Sequence, residues 1–231
     1  MDAAINEYKI VQETIRPSTI AKEAKEVHFE RMIIVSEQDI SLYKKLNRDQ
    51  LKAYNIIIER IFSCRAGAFF IDGPGGTGKI FLYRALLATI QSKRYIALAM
   101  TTSDVAASIL PGGRTAHSRF KIPINIDDNF SCNISKQSAL ACLIREAKLI
   151  AFDFLLKGLM DANTLFGGKV VVFGDDFRQT LLVVRNGKKE DFINESLLYS
   201  DIWEELERLP LSENMRAKEN WKLIRKNKLY K

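Results

Sequence analysis

A glycine-rich turn, GPGGTGKI at positions 73–80, constrains this chain more than any other stretch. A short apolar run, Ala68 to Ile71, leads into it. A helical pattern leads out, with Leu82, Leu86 and Ile90 four apart and Leu87 beside them. Strand, glycine loop and helix in that order is the setting of a phosphate-binding loop. Glycines let consecutive backbone N–H groups converge on phosphate oxygens with no side chains in the way. Lys79 adds a positive charge at the β- and γ-phosphates, and the helix N-terminus adds its dipole. The pattern G-x-x-x-x-G-K-[ST] is met at Gly73, Gly78 and Lys79, with Pro74, Gly75, Gly76 and Thr77 between. It fails at Ile80, where a hydroxyl would hold Mg2+. The alternative is a strand-to-helix turn that carries no ligand.

Charge narrows the class of partner. A net charge of +7 over 231 residues points to a polyanionic partner, nucleic acid before membrane, or to a merely basic soluble protein, and charge alone does not decide between the two. Cys64, Cys132 and Cys142 are an odd count with no C-x-x-C pair, which argues against a disulfide framework or a zinc site. No apolar run approaches the ~20 residues of a membrane span. The start, MDAAINEYKIVQ, is too polar for a signal peptide.

Along the chain, residues 1–40 read as a poorly specified leader with no assigned chemistry and a surface His28. Ser41 to Phe62 is helical, with Leu51, Tyr54, Ile57, Ile58 and Ile61 on one face and Asn47 as an N-cap. Gln50 is either a reader of an adenine edge or an ordinary solvated glutamine of a first helical turn. Tyr95 to Met100 reads as a buried strand, followed by Thr101, Thr102 and Ser103, a short helix to Leu110, and a break at Pro111-Gly112-Gly113. Arg114 to Lys121 combines cations with Phe120, as single-strand binding requires, or is a solvated basic loop. Residues 122–140 are irregular, and a helix over about 138–147 precedes an apolar run ending at Asp153. That aspartate is a Mg2+ ligand or a surface or capping residue. A short helix, Leu155 to Ala162, and a Gly167-Gly168 turn lead to KVVVFGDDFRQ. This is a central parallel strand whose C-terminal end faces the ligand, with Gln179 at a γ-phosphate or its attacking water, or in a simple turn. Arg208 to Leu211 is a last strand, Arg216 follows as a phosphate-binding or merely exposed arginine, and residues 218–231 form a basic tail.

With these pieces laid out, the chain resembles the Pif-type (petite integration frequency) DNA helicases of superfamily one, especially their large plant group. The resemblance runs from about Leu46 to Ala217 and rests on LNRDQ, FFIDGPGGTGK, TTSDVAASILPGGRTAHSRFKIPI, KVVVFGDDFRQT and LSENMRA, in family order. It implies an α/β fold: a RecA-like P-loop NTPase domain over 41–217, with a mostly parallel sheet flanked by helices. It further implies ATP and Mg2+ as cofactors, single-stranded DNA and DNA junctions as partners, and 5′ to 3′ unwinding in DNA repair and recombination. The family is intracellular, in the nucleus first and the mitochondrion second. By position, Gln50 matches the adenine-reading glutamine, Gly73 to Lys79 the phosphate loop, Gln179 the glutamine coupling ATP to DNA, and Arg216 the γ-phosphate arginine. Thr102, Ser103, Arg114, Thr115 and His117 fall in the DNA-touching segments.

The departures bear on activity. Ile80 replaces the metal-binding hydroxyl, and the family's strand-end Asp-Glu pair, metal holder and catalytic base, has no clear counterpart. Either Asp153-Phe154 is its remnant or the pair is deleted, and the helix-like context AFDFLLKGLMD favours deletion. No residue is therefore assigned as a metal ligand. Asp104, Asp175 and Leu182 stand where the family has Gly, Gly and Pro, and only the first of the family's two RecA-like domains is matched. The expectation is a truncated helicase domain impaired in hydrolysis. The competing readings are a non-enzymatic single-strand-binding module, a decayed product whose shortened crossover over 155–168 spoils folding, and a small-molecule kinase.

Overall fold

A computed structural model describes residues 25–101, 104–115, 118–119, 138–152, 169–175 and 201–216. Six strands form one parallel sheet: β1 (Gly67–Asp72), β2 (Ile96–Thr101), β3 (Arg114–Thr115), β4 (Ala147–Phe152), β5 (Val170–Asp175) and β6 (Glu207–Pro210), in the order β3-β2-β4-β5-β1-β6. The helices are α1 (Glu37–Ile40), α2 (Arg48–Phe62), α3 (Lys79–Ser92), α4 (Asp104–Ile109) and α5 (Ala139–Glu146).

Successive side chains on a strand point to opposite faces, and here both faces are buried. Phe69, Ile71, Ala97, Ala99, Leu149, Ala151, Val170 and Val172 join one core with α2 and α3. Phe70, Leu98, Met100, Ile150, Val171 and Phe173 join the other, which includes Leu143 of α5. A sheet covered on both sides reads as near-continuous apolar runs, which is why these strands were visible in the sequence. Helix α3 fills the first core with Leu82, Leu86, Leu87 and Ile90, all fully buried. Each such side chain contributes about 1.5–3 kcal/mol relative to exposure.

Among the described residues the predicted elements are present, with shifted ends, and Ala151-Phe152, the start of the stretch read as helix-like, belongs to β4 because it pairs with β2 and β5. Helix α2 starts at Arg48 rather than Ser41, because Asn47 caps it, and residues Ser41–Lys45 form a separate 3-10 turn. Leu51 lies off the buried stripe and is exposed. Tyr95 is likewise exposed, and β2 begins one residue later. Arg114-Thr115, read as a basic loop, forms the edge strand β3 against Met100 and Thr101.

Residues 25–40, read as a leader, are tied to this domain. Glu30, on the helical stretch 25–31, is buried against Arg119, with Arg119 Nη1 donating to Oε1 at 2.9 Å. Asp39 of α1 accepts from Arg84 of α3 at 2.5 Å. His28 is exposed, as expected. The expected 155–162 helix, the crossover and the basic tail lie outside the described residues.

Candidate nucleotide-binding site

The glycine loop leaves the C-terminal end of β1 between β5 and β6, where Asp72 is in register with both Asp175 and Pro210. Parallel sheets place ligands at this edge. Gly76 and Gly78 have φ of 88° and 78°, a region that L-residues rarely adopt. Gly78 caps α3 and accepts from the Leu82 N–H at 3.1 Å. A glycine is needed at Gly73 for a different reason: a Cβ there would lie 2.9 Å from both the Leu211 carbonyl oxygen and Thr77 Oγ1. Thr77 is buried and its hydroxyl donates to the Pro74 carbonyl at 2.9 Å, which closes the loop on itself. Lys79, on the first turn of α3, donates from Nζ to the Gly73 carbonyl at 2.6 Å.

Gln50 supports the loop from behind. Its side chain is fully buried, so the solvated reading is wrong. Oε1 accepts from the Asn47 N–H at 3.0 Å, while Asn47 Oδ1 accepts from the Gln50 N–H at 2.8 Å, a complete capping box. Nε2 donates to the Thr77 carbonyl at 2.9 Å and to that of Gly78 at 3.4 Å. The amide that would read adenine thus joins the start of α2 to the end of the phosphate loop.

Residues 211–216, after β6, close the other side. The Leu211 N–H donates to the Asp72 carbonyl at 2.6 Å, and the Met215 and Arg216 N–H groups both donate to that of Gly76, at 2.9 and 3.3 Å. Ser212 donates from its backbone and hydroxyl to Asp49 Oδ2, at 3.0 and 2.5 Å. Those two bonds hold the Asp49 carboxyl below its ordinary range. Arg216 is exposed beside Gly76. The fold therefore brings Gln50, the loop from Gly73 to Lys79, and Arg216 together from three separate elements.

Gly174 matters for packing. A Cβ on it would collide with the hydroxyl of Tyr83, a buried residue of α3.

Ile80 is part-buried and packs against the core shared by α2 and α3. Thr77, the nearest hydroxyl in the loop, is committed to Pro74. Among the described residues no group of three His, Cys, Asp or Glu side chains could hold a metal ion. Ile80 itself offers no oxygen to Mg2+, which proteins ordinarily hold through one or two carboxylates together with substrate phosphates. Asp153 and Gln179 lie outside the described residues, as do Thr102, Ser103 and His117. Of the DNA-segment residues, Arg114 is exposed on β3, and Thr115 accepts from the Ser118 N–H at 3.3 Å.

Beyond this geometry, the family profile described as PIF1-like helicase matches residues 45–230. The chain belongs to that family. A Pif1 ATP-dependent DNA helicase of Campylobacter jejuni is 29% identical over 155 residues, covering 59% of this chain and 34% of the relative. The chain therefore spans about a third of that relative's length. Among solved structures, Pif1 helicase from Candida albicans matches with a TM-score of 0.54 at 24% identity, over 78% of this chain and 42% of that one. Pif1 helicase from Bacteroides, in complex with ADP-AlF3 and single-stranded DNA, matches with a TM-score of 0.54 at 20% identity, over 74% and 43%. The fold of this PIF1-like chain is thus the RecA-like fold of those helicases. No helix among the described residues is long and apolar enough to cross a membrane.

The remaining site features of this PIF1-like chain were hidden for a common reason. Ser212 is joined to Asp49 of α2, and Met215 and Arg216 to Gly76 of the loop, by hydrogen bonds spanning more than a hundred positions. Only the motif LSENMRA, once its family was named, pointed to that segment.

Proposed function

We propose that this chain is the first RecA-like domain of a plant-like, Pif-type DNA helicase, binding ATP and weak in its hydrolysis. The observation that carries this is the loop from Gly73 to Lys79, set between β1 and α3 and bordered by Gln50 and Arg216. On binding a triphosphate, Lys79 exchanges its contact with the Gly73 carbonyl for phosphate oxygens, and Arg216 turns from solvent to the γ-phosphate. Adenine reading requires Gln50 to give up part of its present hydrogen bonding. Gln179 couples the nucleotide to DNA in this reading. Single-stranded DNA, junctions included, runs past Thr102, Ser103, Arg114, Thr115 and His117. The likeness to a helicase solved with ADP-AlF3 and single-stranded DNA supports both partners. DNA repair and recombination, in the nucleus first and the mitochondrion second, complete the family reading.

Hydrolysis is where the chain departs. Mg2+ supplies charge stabilisation in phosphoryl transfer, and Ile80 brings an apolar side chain to the position of its hydroxyl ligand. A general base is worth about 10²–10⁴-fold in rate, and no residue described here takes that role. The same packing of Ile80 favours a second reading, a single-strand-binding module that has lost the motor.

ATPase activity with and without single-stranded DNA tests the proposal, comparing this chain with Ile80→Thr carrying an Asp-Glu segment inserted after Phe152, where β4 ends. We expect slow, unstimulated turnover in the first and rescue in the second. Normal DNA-stimulated turnover by the unaltered chain refutes the impairment. Salt-sensitive DNA binding in a folded protein that takes no nucleotide establishes the second reading instead.

A further inference from the structure

The sheet edge opposite the phosphate loop carries a cluster that the nucleotide site does not use. Helices α2 and α3 both end there, and in the same way. The Cys64 and Arg65 N–H groups donate to Ile61 and Arg60 carbonyls at 3.2 Å each, and those of Arg94 and Tyr95 to Gln91 and Ile90 at 2.9 and 3.3 Å. Glycine is the usual residue at such a turn. Here Cys64 and Arg94 take it, with φ of 54° and 62°, the two non-glycine residues with positive φ among those described. A non-glycine residue in this region is strained and persists only where the surrounding structure holds it.

Two rings and four cations meet at this edge. Phe62 and Tyr95, 39% and 43% exposed, have centroids 6.2 Å apart. Lys93 Nζ lies 4.7 Å from the Phe62 centroid, and Lys148 Nζ 5.9 Å from that of Tyr95. The position of Lys148 is set by the backbone. Register passes from Ile96↔Ala147 to Ala97↔Leu149, which leaves Lys148 as the extra residue of a bulge. Bulges re-aim side chains, and this one brings Lys148 Nζ to 4.0 Å from Cys64 Sγ. Lys169, just before β5, donates to the Arg145 carbonyl. Burial and the neighbouring Lys148 push its pKa down, against the pull of Glu146. Arg94 reaches the Arg31 carbonyl at 3.4 Å. The nearby carboxylates are already engaged, Glu59 by Arg65 at 3.1 Å and Glu146 by Arg31 at 2.5 Å. Among the described residues, none of Lys93, Arg94, Lys148 and Lys169 forms an ion pair.

We propose that this edge is a second binding site for single-stranded DNA, with bases stacked on Tyr95 and Phe62 and phosphates running across Lys93, Arg94, Lys148 and Lys169. Exposed rings interleaved with uncompensated cations are the combination that holds single strands without sequence preference. An acidic peptide would use the cations but has no need of the rings. The site stands at the N-terminal ends of the strands, about 20 Å from the phosphate loop by the length of a six-residue strand, and does not depend on nucleotide binding.

Fluorescence anisotropy of a labelled oligothymidylate about 15 nucleotides long, at low salt, tests it on the full chain. Arg94→Gly is the informative variant, because glycine suits the backbone there. We expect it to melt at the same temperature or higher, yet to bind about three-fold more weakly or worse. Lys148→Gln should lower the salt slope by about one, and Tyr95→Ala should weaken binding about ten-fold. Lys79→Ala should leave all of this unchanged, so failure of the nucleotide reading remains separable. Wild-type binding by all three edge variants, with loss only in Arg114→Glu, overturns the proposal. So does competition by polyglutamate as strong as by oligothymidylate, coupled with indifference to Tyr95→Ala.

Discussion

Gln50→Ala separates a structural role for that glutamine from a purely base-reading one. The side chain is fully buried and makes bonds of 3.0, 2.9 and 3.4 Å to the Asn47 N–H and the Thr77 and Gly78 carbonyls. Alanine removes half of the capping box and leaves the Thr77 carbonyl without this donor. A buried polar group left unpaired costs about 1–3 kcal/mol, and the lost bond from the Asn47 N–H about 0.5–1.5 kcal/mol, while the Asn47 cap itself remains. Their overlap makes roughly 2–4 kcal/mol the expected loss, or about 5–15 °C in melting temperature for a domain of this size. The assay is thermal unfolding without nucleotide, followed by competition between ATP and GTP. Gln50→Glu should cost at least as much, since it turns a carboxylate toward two carbonyl oxygens. An unchanged melting temperature for Gln50→Ala, with altered base preference alone, would refute the reasoning.

Gly174→Ala should cost about 1–3 kcal/mol by overpacking against Tyr83, and Tyr83→Phe should restore part of it in a double-mutant cycle of melting temperatures. Arg119→Met should cost about 3–5 kcal/mol by leaving Glu30 buried and unpaired. Arg31→Met, which breaks the exposed pair with Glu146, should cost about 0–1 kcal/mol in the same unfolding experiment. The Asp49 carboxyl titrates lower folded than unfolded, so its bond to Ser212 stabilises fully above the ordinary value of 3.8 and is lost as pH falls through the folded value. The melting difference between wild type and Asp49→Ala should accordingly shrink below pH 3.8.

What the sequence made legible was local. Glycines spaced for converging amides, and apolar runs that a doubly covered sheet requires, fixed β1, α3 and the remaining central strands. Asn47 announced its cap because capping chemistry acts within one turn. Gln50 was harder. Its spacing from Asn47 marks a capping box, but its burial depends on Thr77 and Gly78, and periodicity carries no such partner. The two-residue strand β3 offers too short a pattern to detect, and exists because Met100 and Thr101 pair with it. The link between Glu30 and Arg119 spans 89 positions, so a stretch that looked featureless supplies a buried carboxylate.

Calorimetric titration of the purified chain with ATP, beside Lys79→Ala, is the most direct test of the phosphate loop as a nucleotide site. The account predicts saturable binding by the wild type and its loss in the variant, with both proteins equally folded by circular dichroism. A folded wild type without affinity for any adenine nucleotide, or a Lys79→Ala variant that binds equally well, contradicts it.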